Sequence, residues 1–92
     1  MTIWKSTLGD NAALLLLGRM SAAVSLPAGA RIVHAGMQGT KLCIWSIVEP
    51  SQETVLRQLV VVGTGREVRN DAIYIGTVMD GPYVWHVFDI SV

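Results

Sequence analysis

Asp80-Gly81-Pro82 divides two runs of β-branched and aromatic residues, Ile73–Met79 and Tyr83–Ile90. Glycine accepts the backbone of a tight reversal and proline cannot continue a ladder, so the segment reads as a β-hairpin. The same grammar recurs at Gln38-Gly39-Thr40, between Arg31–Met37 and Lys41–Val48. Thr2–Thr7, Ala22–Leu26 and Thr54–Val62 supply further strands. Pro27-Ala28-Gly29 and the polar Glu49–Glu53, with Pro50, are the turns that follow two of these runs. A chain cut in this way predicts one all-β domain over residues 1–92. The form expected is a small β-barrel or a two-layer β-sandwich of antiparallel hairpins, of about six to eight strands, with room for one short helix.

Two strands are apolar on both faces. In Lys41–Val48, Leu42 and Ile44 alternate with Cys43, Trp45 and Ile47. In Tyr83–Ile90, Tyr83, Trp85 and Val87 lie on one face, and Val84, His86, Phe88 and Ile90 on the other. Such strands belong in the middle of a fold, covered on both sides.

Residues 8–21 (LGDNAALLLLGRMS) read two ways. Asp10 or Asn11 can cap a short helix of alanine and leucine. Four consecutive leucines give no helical period, which favours a strand or an irregular apolar segment. Exposed, Leu14–Leu17 would be a subunit interface.

Composition narrows the functions. Seven basic and seven acidic residues balance to zero net charge, against non-specific nucleic-acid binding. Charged residues make up only 15% of the chain, which points to apolar surface hidden in a homo-oligomer. Cys43, the one cysteine, allows no intrachain disulfide and suits a reducing cytoplasm. The apolar run Ala12–Leu17 is too short to span a bilayer, so no membrane partner is expected.

Residues 59–68 (LVVVGTGREV) hold the main candidate chemistry. Val68 stands where a dinucleotide fingerprint needs its third glycine, and no P-loop lysine follows. The first reading is a plain turn. The second is an anion site made by turn N–H groups, the Thr64 hydroxyl, Arg66 and Arg69, with Trp45, Trp85 or Tyr74 stacking on a base. Cys43, among apolar neighbours, reads as a buried thiol of little reactivity. His34 and His86 lack metal-ligand spacing, and His86 reads as a hydrogen-bonded structural histidine. Glu67 and Asp71 read as solvent partners of Arg66 or Arg69. No nucleophile, acid–base pair, metal or cofactor is expected, and so no enzyme.

"IWK" at 3–5, "LPAGARIVHAGMQ" at 26–38, "CIWSIVEP" at 43–50, "VVGTG" at 61–65, "YIGTV" at 74–78 and "VWHVF" at 84–88 come in an order that resembles a family of small uncharacterised bacteriophage proteins. Residues 8–21 depart from that pattern as an insertion or divergent segment. The resemblance implies phage origin and a compact β-rich domain, and carries no catalytic residue. It leads to the expectation of a non-catalytic phage protein in the host cytoplasm that sequesters a nucleotide-derived immune signal. The alternative is a protein–protein inhibitor of a host defence enzyme, or a structural accessory.

Overall fold

The computed structural model describes residues 1–91. In chain order the elements are β1 (Thr2–Asp10), α1 (Ala12–Leu17), β2 (Arg19–Pro27), β3 (Arg31–Gln38), β4 (Lys41–Val48), β5 (Thr54–Gly63), β6 (Ile73–Asp80) and β7 (Tyr83–Asp89). The strands form two open antiparallel sheets, ordered β1-β4-β3 and β2-β5-β7-β6. They stack as a sandwich, not a closed barrel.

Alternation along each strand decides what lies between the layers. β4 sends Leu42, Ile44, Ser46 and Val48 inward, all buried. From the other sheet come Val24 and Leu26 of β2, Leu59 and Val61 of β5, and Trp85 and Val87 of β7. Burial of side chains this size contributes about 1.5–3 kcal/mol each. Val60 and Val62 face outward yet are buried, because β5 lies between β2 and β7, and their register partners Phe88 and His86 cover them. The two-faced apolar strands are therefore central ones, β4 and β7.

Where the run of leucines favours a strand, the structure has a short helix. β1 continues to Asp10, α1 turns the chain, and β2 begins at Arg19, earlier than its apolar core suggests. Local chemistry explains the helix. The Asp10 carboxylate accepts from the Ala12 N–H at 3.0 Å and from the Thr40 hydroxyl at 2.9 Å. The Thr40 bond, then the Ala12 bond and Lys41, hold the Asp10 carboxyl below its ordinary pKa. Asn11 donates to Asp80 at 3.0 Å, which ties the helix entrance to the β6–β7 turn. Gly18 ends the helix in the left-handed region at φ 70°. Only Leu14 of the helix is buried in the core. Leu15, Leu16 and Leu17 are 48, 83 and 61% exposed.

Candidate functional site

β5 ends in a tight turn at Gly63–Arg66. The Arg66 N–H donates to the Gly63 carbonyl at 3.2 Å, and Gly65 takes φ 91°. A positive φ at the third position alone is the type II pattern, which favours glycine there. The Gly63 N–H donates to the Gly18 carbonyl at 3.0 Å. An anion nest requires successive N–H groups left open to the ligand. Those of Gly63 and Arg66 are already engaged inside the protein.

The turn lifts Thr64 onto the outer face of the larger sheet. Its hydroxyl shares a 2.7 Å hydrogen bond with His86 Nε2. His86 Nδ1 shares one of 3.1 Å with the Thr77 hydroxyl, which shares one of 2.6 Å with the Tyr74 hydroxyl. Strand register sets this row: Thr77 lies opposite His86 and Tyr74 opposite Phe88, where the two rings meet edge-on at 5.7 Å. The hydroxyl–imidazole pair has the form of a nucleophile and its base. At the other nitrogen, however, stands a neutral hydroxyl and not the carboxylate that stabilises an imidazolium in acyl transfer.

The six candidate ligand residues do not converge. Arg66 donates to the Leu17 carbonyl at 3.2 Å and so closes the end of α1. Arg69 binds Asp71 through two nitrogens, at 3.0 and 2.7 Å. That pair lowers the Asp71 pKa and raises that of Arg69. Trp85 is 4% exposed on the inner face, and its indole N–H donates to Asp80 at 3.0 Å. It has no free ring face to offer a base from outside: Tyr83 stacks on it at 5.7 Å. Trp45 lies in the other sheet, against His34 at 5.4 Å. Thr64 and Tyr74 alone are joined, through His86 and Thr77.

Thr77 is the linking residue that the sequence reading did not single out. Its signal lay in the hairpin: counting outward from Asp80 and Tyr83 pairs Thr77 with His86. Cys43 is buried beside the Thr7 hydroxyl, 3.7 Å away. Among the described residues, no three histidine, cysteine or carboxylate side chains gather as a metal would need, and no helix is long and apolar enough to cross a membrane. An open depression lies at the far end of the sandwich, lined by Met1, Gly29, Arg31, Glu49 and Gln52 among others, and contains none of the candidates.

Fold and site together define a small two-sheet β-sandwich with one protruding leucine helix and a polar row across an outer face. The chain belongs to a family described as a domain of unknown function (DUF7352), which it matches over residues 1–91. No curated protein and no solved structure matches it.

Proposed function

We propose that this chain is a non-catalytic phage-encoded binding protein that acts through protein–protein contact, with α1 as the contact element. The observation that carries this reading is the exposure of Leu15, Leu16 and Leu17 on a helix held firmly at both ends. Full burial of an exposed leucine is worth about 1.5–3 kcal/mol, which Leu16 approaches and the half-exposed Leu15 and Leu17 supply in part. The phage resemblance makes a host defence enzyme the first partner to consider, with a structural accessory role as the variant. Leu16→Glu tests the reading, because a side chain 83% exposed supports no folding contact of its own. Purified from infected cells, the wild type should carry a stoichiometric host or phage protein that Leu16→Glu loses at unchanged melting temperature. Equal recovery of that protein by both would remove α1 from the contact.

Sequestration of a nucleotide-derived signal is favoured by a different observation. The exposed Tyr74 is linked through Thr77 and His86 to Thr64, and Arg66 and Arg69 lie on the loop that follows. A base on Tyr74 would use that row, and a phosphate would have to draw Arg66 from the Leu17 carbonyl or compete with Asp71 for Arg69. Calorimetry against cyclic and ADP-ribose-type nucleotides decides it, and silence across the panel would end the sponge reading.

A further inference from the structure

Each sheet of an open sandwich has two edges, and an edge strand presents unpaired N–H and C=O groups that another strand can take up. Three of the four edges here are interrupted. The register skips Leu8 in β1, Val33 in β3 and Ile75 in β6, so each carries a bulge. β1 also holds Lys5, a charge that discourages pairing. β3 and β6 approach one another closely: a β-carbon on Gly76 would lie 3.8 Å from that of Ala35. β2 differs from all of these. It pairs with β5 without a break from Arg19↔Val62 to Pro27↔Thr54 and has neither a bulge nor an interior proline or charge.

The hydrogen-bond phase of β2 follows from bonds at its two ends. Gly63 donates to the Gly18 carbonyl at 3.0 Å, and Ala28 to the Glu53 carbonyl at 2.7 Å, both on the same register as the ladder. In an antiparallel pair the bonded positions alternate. Met20, Ala22, Val24 and Leu26 therefore bond to β5, while the N–H and C=O groups of Arg19, Ser21, Ala23 and Ser25 point away from it. Those four residues are exposed, and three of them are small.

We propose that β2 pairs antiparallel with β2 of a second copy of this chain, on a two-fold axis through Ala23. The two larger sheets then join into one continuous sheet. In that register Ala23 faces Ala23, Ser21 faces Ser25, and Arg19 faces Pro27. On the inner side Met20 faces Leu26 and Ala22 faces Val24. The outward backbone groups of Ala23, Ser21 and Ser25 meet as bonded pairs, and no like charges oppose one another. Pro27, which lacks an N–H, falls where the new ladder ends. A continuous strand-to-strand sheet also fits a chain with few charges to keep it monomeric.

The test is the mass in solution, by light scattering on a sizing column. The wild type should elute at twice the chain mass. Ala23→Lys, which sets two ammonium groups against each other on the axis, should give the single-chain mass with an unchanged circular-dichroism spectrum. Ala23→Cys should form an interchain disulfide quantitatively on mild oxidation, since bonded antiparallel pairs place their α-carbons about 5.5 Å apart, within disulfide reach. That variant also keeps the proposal testable if Ala23→Lys fails to fold. Leu16→Glu should remain double. A single-chain wild type, a double-mass Ala23→Lys, or an Ala23→Cys that stays uncrosslinked overturns the pairing. Loss of the double mass in Leu16→Glu but not in Ala23→Lys would assign self-association to α1 instead.

Discussion

The Arg66 guanidinium donates to the Leu17 carbonyl at 3.2 Å, and its Nη2 lies 2.6 Å from where a β-carbon on Gly18 would sit. One arginine thus closes the carbonyl end of α1, and the absence of a side chain at Gly18 makes room for it. A cation at a helix end also complements the exposed carbonyls there. The arrangement gives Arg66 a structural task that any phosphate contact would have to displace.

Gly18→Ala should therefore cost stability twice over, through the left-handed backbone at φ 70° and through displacement of Arg66. The backbone share is about 1–2 kcal/mol. Arg66 can swing aside at small cost, so the total should stay near that range. Gly18→Asn should cost less, because asparagine enters the left-handed region more readily. Urea unfolding of the three proteins measures the order, and a neutral Gly18→Ala would contradict this account of the helix end.

The Thr64–His86 bond should show as coupling between the two residues. Thr64→Val and His86→Ala, alone and together, form a double-mutant cycle in stability. A net bond of this kind is worth about 0.5–1.5 kcal/mol, and partial exposure places the expected coupling at the lower end. Additive losses would mean that the 2.7 Å contact contributes nothing in solution.

Ser46 offers a prediction of opposite sign. Its hydroxyl is buried between the sheets and, among the buried side-chain polar groups of the described residues, is the one without a hydrogen-bond partner. Leaving such a group unsatisfied costs about 1–3 kcal/mol, whereas the cavity made by removing one oxygen is small. Ser46→Ala should raise the melting temperature, read by calorimetry. A lowered one would show that the hydroxyl finds a partner in solution.

Much of this fold was legible because its strongest signals are local. Gln38-Gly39-Thr40 and Asp80-Gly81-Pro82 set both hairpins, and the two-faced runs marked β4 and β7 as central. α1 was hidden because a helix burying one residue, Leu14, leaves no apolar period to count. The spread of the candidate site came from long-range pairing. β1 joins β4 and β2 joins β5, so Trp45 and the Gly63–Arg66 turn fall in different layers. Residue types alone do not reveal which layer a strand enters. The fate of Trp85 was half visible: its alternation with Val87 placed it on one face, but the choice of inner face depended on the opposing sheet.

Asp89 gives the acid limit of stability. It is buried on the inner face, where Arg57 reaches it with Nε at 2.9 Å and again with Nη2. Burial alone would raise its pKa. Hydrogen bonds from Ser91, then the Arg57 bonds and charge, outweigh that effect and hold it below the ordinary 3.8. A carboxyl with a depressed folded pKa stabilises the fold fully above its unfolded value, and that contribution is lost as pH falls through the folded one. Asp89→Asn should therefore be less stable than the wild type at neutral pH, by roughly 1.5–3 kcal/mol for bonds to a charged group. Arg57 would keep its bond to the Ala30 carbonyl at 2.9 Å but lose its counter-ion. Below about pH 4 the gap between the two proteins should close as the wild-type carboxylate takes up its proton. Urea midpoints measured across that range report the difference directly. A gap that stayed constant into strong acid would place the stabilisation in packing and not in the charge of Asp89.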